Sequence, residues 1–221
     1  MIRGWPVTAR VAAGVAMAVV LAVVVAVMVG LLRLSEPFGM AGAQGGSDAG
    51  RCIAARGAEQ QDIDPDDSPE TPWPHTPGER VVVHFAVGGL PARYTGLVGQ
   101  AAAIWSRSPC VEPAVVDACP PGSNCSTIVA RERAEDDDTD GESKSDDRGS
   151  VRRSNTITLY TGLLDDASDN GARATIVHEM GHTFGLVHRL DPDSVMNAET
   201  DDSTDSVPDA IDFANLVAIY G

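Results

Sequence analysis

The stretch HEMGHTFGLVH, residues 178–188, holds three of the five histidines of this 221-residue chain. The residues around it have the pattern of a helix, and on a helix two side chains four residues apart lie on the same face, one turn from each other. His178 and His182 can therefore bind the same metal ion. Glu179 lies beside the first of them without being a ligand, so its carboxylate can accept a proton from a metal-bound water. The stretch predicts a metal centre with a base next to it.

The end of the stretch predicts a third ligand, His188. An uninterrupted helix would carry residue 188 well above a metal held by the first two histidines, so the chain must turn sharply before it. Gly185 permits that turn because glycine tolerates the left-handed backbone that the turn demands. The complete pattern H-E-x-x-H-x-x-G-x-x-H is much more specific than H-E-x-x-H alone. We expect His178, His182 and His188 to hold one Zn²⁺ and to leave a fourth position for water.

This pattern, followed by Ser-Val-Met-Asn at residues 194–197, resembles the metzincin clan of zinc metalloproteases. The resemblance implies that Met196 lies beneath the metal ligands as the Met-turn of the clan. Residues 209–221, which end in Tyr-Gly, are similar to the last helix of matrixins. The resemblance covers about residues 80–221, and its specific part is residues 175–197. It implies an α+β, zincin-like domain in which a twisted mixed sheet is combined with an active-site helix and a C-terminal helix.

The activity implied by this resemblance is endopeptidase hydrolysis of extracellular proteins or peptides. Zinc would lower the pKa of its water from about 15.7 toward roughly 7, and Glu179 would take the proton and return it to the leaving amine. Two alternatives stay open. In a gluzincin, Glu199 would replace His188 as the third ligand, although Gly185 and His188 argue against it. In a membrane-anchored binding protein with a non-catalytic zincin fold, Glu179 would have no task.

Two matrixin features are not matched by the sequence. The His- and Asp-rich segment by which vertebrate-type matrixins hold a structural zinc and calcium has no counterpart, so those ions are not expected. The acidic composition suits Ca²⁺, but no ligand pattern supports a calcium site. Arg51-Cys52 resembles the Arg-Cys pair of matrixin propeptides, but Ile53 and the residues after it do not match, so a disulfide is the favoured role for Cys52.

The remaining hydrophobic patterns predict a mixed set of strands and helices. Strands are expected at 80–87, 111–116, 126–131 and 155–161, and helices at about 91–105, 172–184 and 208–219. Ser168 or Asp169 is the expected N-cap of the helix that carries the motif. The charged segment Glu132 to Ser150 predicts a mobile surface loop, and the strand at 155–161 is expected at the edge of the sheet, bordering a cleft.

The charge of the chain excludes one class of partner. The formal net charge is −16, and such a chain would be repelled by a phosphate backbone, so no nucleic acid is expected. Many of the acidic residues lie in low-complexity stretches, where they serve to solvate the chain. We expect a monomer with a protein or peptide as its partner.

The N-terminal third predicts export. The run from Val11 to Leu32 has no charged residue and is long enough to span a membrane, with the part that follows outside the cell. The expected location is the cell membrane, as a single-pass protein with an extracellular catalytic domain, or a secreted protein if the chain is cleaved near Ala43. The predicted division is a cytoplasmic tail with a signal-anchor or signal peptide (1–34), a flexible Pro/Gly/Asp-rich stalk (35–78) and a metzincin-like catalytic domain (79–221).

The four cysteines agree with an oxidising compartment. An even number in an exported chain predicts two disulfides, which can be connected in three ways. The favoured pairs are Cys119 with Cys125 and Cys52 with Cys110. Since no pair has C-x-x-C spacing, a zinc site made from these cysteines is not expected.

Overall fold

A five-stranded mixed sheet forms the frame of the domain. The computed structural model of the chain describes residues 51–67, 70–133 and 139–221. The strands in chain order are β1 (Val81–Ala86), β2 (Val111–Val116), β3 (Cys125–Arg131), β4 (Gly141–Arg148) and β5 (Val151–Tyr160). They lie in the order β2-β1-β3-β5-β4, and every pair is parallel except β4 with β5.

Three longer helices and one short helix complete the described fold. They are α1 (Ala92–Trp105), α2 (Thr161–Leu164), α3 (Asp169–Thr183) and α4 (Ala210–Tyr220). Helix α3 begins after Ser168, whose hydroxyl accepts a hydrogen bond from the backbone N–H of Gly171. Helix α4 begins with a capping box in which Asp209 and Asp212 each accept from the other's backbone N–H. These caps satisfy amides that have no partner inside their helices.

The core holds α3 at the centre of the domain. Helices α1 and α3 pack against each other, and α3 also contacts β4 and β5. The indole N–H of Trp105 donates to the carbonyl of Val177 at 3.0 Å, which ties the end of α1 to the middle of α3. Phe184 packs edge-to-face against Phe85 and Trp105, and all three side chains are fully buried. The predicted α+β fold, with a mixed sheet, a central helix and a C-terminal helix, is confirmed.

The charged segment after residue 131 differs from its prediction. Residues 132–150 were expected to form a mobile loop, but Gly141–Arg148 form β4, which pairs antiparallel with β5. The edge of the sheet is therefore β4 and not the strand at 155–161. An outer strand needs only backbone hydrogen bonds on one side, so exposed charged side chains are compatible with it. The part of the predicted loop at 134–138 lies outside the described residues.

The segment before β1 packs on the domain. Cys52 and Trp73 are fully buried, and the indole N–H of Trp73 donates to the carbonyl of Thr183, at the end of α3, at 2.7 Å. The described residues of this segment therefore pack on the domain, although the composition of 35–78 is that of a flexible stalk. The domain boundaries near residues 34 and 78 stay predictions.

Both favoured disulfides are confirmed. Cys52 is bonded to Cys110, and Cys119 is bonded to Cys125. Cys52 is therefore not available to a metal, which excludes the propeptide-like role of Arg51-Cys52. The two bonds are compatible with an extracellular location.

The predicted location at a membrane is wrong for the part of the chain that the structure describes. Among residues 51–67, 70–133 and 139–221, no helix is both long enough and apolar enough to cross a membrane. The run from Val11 to Leu32, on which that prediction depended, lies outside the described residues, as does the cleavage site near Ala43. A membrane-spanning location is therefore not retained.

Candidate metal centre

The three predicted histidines come together at one point. Nε2 of His182 lies 2.9 Å from Nε2 of His178 and 3.2 Å from Nε2 of His188. Among the described residues, these three form the group of side chains that could hold a metal ion. Nitrogen atoms that bind one tetrahedral zinc at about 2.0–2.1 Å lie roughly 3.3 Å apart, so the observed spacing fits a single ion.

The environment of each ring shows which nitrogen is free to bind. Nδ1 of His178 lies 2.7 Å from the carbonyl oxygen of Val195, and Nδ1 of His182 lies 2.8 Å from that of Leu186. A carbonyl oxygen can only accept, so both Nδ1 atoms must carry the proton, and both Nε2 atoms then present a lone pair. Nδ1 of His188 lies 3.1 Å from a carboxylate oxygen of Asp67, with the same consequence. Three lone pairs that face one another repel, a cation between them removes this repulsion, and neutral imidazole nitrogen is a preferred ligand of zinc.

The turn that brings His188 back is a Schellman motif. The N–H of Gly185 donates to the carbonyl of His182, and the N–H of Leu186 donates to the carbonyl of Gly181. Gly185 has a φ of 98°, in the left-handed region where a side chain would be strained. The turn therefore ends α3 at the predicted residue and directs the chain toward the metal centre.

The segment after His188 supports the ligands from below. Met196 is fully buried and packs against Gly181, between the two helical histidines along α3. Its backbone carbonyl accepts from the N–H of Arg189 at 2.8 Å, while the preceding residue, Val195, supplies the acceptor for His178. The position of Met196 beneath the three histidines stays a prediction, which its contact with Gly181 supports.

Glu179 is buried beside the histidines and has an unused oxygen. It is 5% exposed, and its Oε2 has no hydrogen-bond partner among the described residues. Burial raises the pKa of Glu179 well above its usual value, and the negative charges of Asp140, Glu142 and Glu70 raise it further. Burial has the opposite effect on a histidine, since it lowers the pKa of His178 to about 4. Both shifts have the same main cause, because burial disfavours the charged form of either group.

A cleft of 740 Å³ opens onto this group. Glu179 and the three histidines line it, and so do Gly141, Glu142 and Ser143 at the start of the edge strand β4. Glu199, the alternative third ligand, also lines the cleft but is not part of the histidine group. The geometry therefore favours His188 over Glu199 as the third metal ligand.

Three residues at this site were not found by sequence reasoning. Asp67 contacts His188, and Arg152, whose side chain is fully buried, donates to the carbonyls of His182 and Thr183 at 2.7 and 2.6 Å. Glu70 forms an ion pair with Arg152. The two acids lie in a stretch whose composition is that of a linker, and the sequence carries no signal that would single them out.

The chain has no match among protein families or curated sequences, and it has a distant match among solved structures. No protein-family model matches the chain. No curated protein sequence matches it either. Among solved structures, the chain is similar to the crystal structure of archaemetzincin from Methanopyrus kandleri, with 14% identity and a TM-score of 0.45 over 63% of this chain and 94% of that chain. The specific resemblance to matrixins stays a prediction.

Proposed function

We propose that the protein is a zinc-dependent endopeptidase in which His178, His182 and His188 bind the metal and Glu179 is the general base. The observation that supports this most strongly is the convergence of three Nε2 lone pairs beside a buried carboxylate with an unpartnered oxygen, all open to one cleft. A site that only binds a metal needs the histidines but has no use for Glu179.

Zinc, when bound, would supply Lewis-acid activation of a water and of the substrate carbonyl. Glu179 accepts the proton of the attacking water and then donates it to the nitrogen of the leaving amine. Its position on α3, one residue after His178, keeps the carboxylate beside the metal ligands at every stage. The surrounding burial limits the water that could compete for this proton.

The cleft suits an extended peptide. Strand β4 is one of the two outer strands of the sheet, and its first residues, Gly141 to Ser143, line the cleft. An outer strand has unpaired backbone N–H and C=O groups, to which an extended chain can add as a further strand. A protein or peptide is therefore the substrate class that the site favours.

The test separates metal binding from hydrolysis. We expect Glu179→Gln to keep about one zinc per chain and to lose at least about a hundredfold in the rate of casein hydrolysis, because the ligands remain and the base is removed. His188→Ala should lose both zinc and activity, and chelator should abolish the activity of the parent protein.

Glu199→Gln is the matched control, since Glu199 lines the same cleft. We expect this variant to keep its zinc, whereas loss of zinc would identify Glu199 as a ligand. Full activity of Glu179→Gln that chelator still abolishes would reject the assigned base. A zinc-loaded parent protein without any hydrolytic activity would instead indicate a binding protein.

A further inference from the structure

The third histidine is held differently from the other two. The Nδ1 atoms of His178 and His182 each face a backbone carbonyl, whereas Nδ1 of His188 faces the carboxylate of Asp67. The same oxygen, Oδ2 of Asp67, also accepts the backbone N–H of His188 at 2.8 Å. One carboxylate oxygen thus fixes both the main chain and the ring of this residue.

Asp67 reaches His188 from a remote part of the chain. The two residues are 121 positions apart, and Asp67 belongs to the segment that we call the N-terminal strap, defined as residues 51–67 and 70–73. The strap must be held in one position for this carboxylate to reach the metal centre. The contacts of the strap before and after Asp67 determine that position.

The strap is fixed on both sides of Asp67. Before it, the N–H of Asp64 donates to the carbonyl of His188 at 2.9 Å, and Asp62 forms an ion pair with the buried Arg189 at 3.0 Å. After it, the buried Trp73 donates to the end of α3. These bonds attach the strap to the chain around the third histidine.

We propose that Asp67 is a positioning residue of the metal centre, and that the strap is a working part of this centre; the proposal rests on the metal site proposed above. The carboxylate keeps the proton of His188 on Nδ1 and so directs the Nε2 lone pair toward the other two histidines. A negative acceptor also increases the electron density that the imidazole offers to a cation. Removal of such a supporting group weakens metal binding by about 10- to 100-fold in known metal sites.

The contacts of the strap bear on whether it supports the metal site or blocks it. A leader that blocked the site would occupy the Nε2 side of the histidines, where the metal binds. Asp67 instead contacts Nδ1 of His188, and Glu70 is paired with Arg152. Among the described residues, the contacts of these two carboxylates are therefore with groups that orient the ligands, although both carboxylates also line the cleft.

The experiment compares three full-length proteins: the parent, Asp67→Asn and Asp66→Asn. Asp67→Asn keeps an oxygen that can accept the backbone N–H of His188 but removes the charge, and Asp66 is the exposed neighbouring carboxylate that serves as the control. The dissociation constant for zinc is measured by competition with a chromogenic chelator. The visible spectrum of the Co²⁺-substituted proteins reports ligand geometry, and the melting temperature of each chelated protein reports the fold without metal.

We expect Asp67→Asn to bind zinc about 10- to 100-fold more weakly than the parent, with a changed Co²⁺ spectrum and an unchanged melting temperature of the chelated protein. Asp66→Asn should match the parent in all three measurements.

Equal zinc affinity and equal Co²⁺ spectra in Asp67→Asn and the parent would overturn the positioning role. If Asp67→Asn destabilises the chelated protein, the Asp67→Glu variant is measured as well. Zinc affinity equal to that of the parent in Asp67→Glu supports the positioning role, and weaker affinity overturns it. A parent protein that binds no zinc would reject the metal site itself, and this inference with it.

Discussion

The two disulfides should differ in how much they stabilise the fold. A cross-link lowers the entropy of the unfolded chain by about 2.1 + 1.5R ln n cal/mol/K for a loop of n residues. Cys52 and Cys110 are separated by 58 positions, which corresponds to about 4 kcal/mol at 25 °C. Cys119 and Cys125 are separated by 6 positions, which corresponds to about 2 kcal/mol. We therefore expect the long-range bond to contribute about 2 kcal/mol more than the short one.

Two double variants test this difference. Cys52→Ala/Cys110→Ala and Cys119→Ala/Cys125→Ala are compared with the parent by urea unfolding followed by circular dichroism, and non-reducing peptide mapping verifies the remaining bond in each. Cys52 begins the strap that carries Asp67, so the first variant should also bind zinc more weakly, whereas the second should not. An equal loss of stability in the two variants, or a larger loss in the second, would refute the loop-entropy reasoning.

Two further predictions concern the cleft. A Cβ at position 141 would lie 2.7 Å from Cγ2 of Thr175 and 3.0 Å from Oε1 of Glu179, so Gly141→Ala should cost about 1–3 kcal/mol and lower kcat while zinc is retained. Gly99→Ala, where the space is open, is the control, and a Gly141→Ala variant with the stability and kcat of the parent would contradict the close approach. Of the 21 described residues that line the cleft, nine are acidic and none is Lys or Arg. Peptides with Lys or Arg beside the scissile bond should therefore show roughly tenfold higher kcat/KM than Glu-containing ones at low salt, with the difference shrinking as salt is added; equal rates at all salt concentrations would contradict this.

The elements next to the motif could be predicted well from the sequence. The helix expected at 172–184 is observed as Asp169–Thr183, and its N-cap is Ser168, one of the two residues proposed. The strand expected at 80–87 is observed as Val81–Ala86. These predictions succeed because a local pattern determines them: the spacing of the histidines on one helix face, a left-handed glycine, and a run of β-branched residues that is typical of a strand.

Neither strand β4 nor the contact of Asp67 with His188 could be predicted from the sequence, and the physical reason is the same for both. The sequence of β4, GESKSDDR, has no apolar alternation, and it is a strand only because β5 offers it a hydrogen-bonding partner. Asp67 lies in a polar stretch whose composition is that of a linker, and its contact with His188 spans 121 positions. Both features depend on the tertiary fold, which hydrophobic periodicity does not encode.

The metal centre combines these local and remote contributions. The eleven-residue motif supplies the three proposed ligands, but the groups that contact Nδ1 of their rings come from three different places: Leu186 in the turn after α3, Val195 in the segment after His188, and Asp67 in the strap. Each of these segments must be in its native position before the three Nε2 lone pairs can converge. Metal binding and folding are therefore coupled, because an ion that binds only the converged rings stabilises every segment that orients them. We therefore expect a change in the strap, far from the motif in sequence, to weaken metal binding even though every proposed ligand remains.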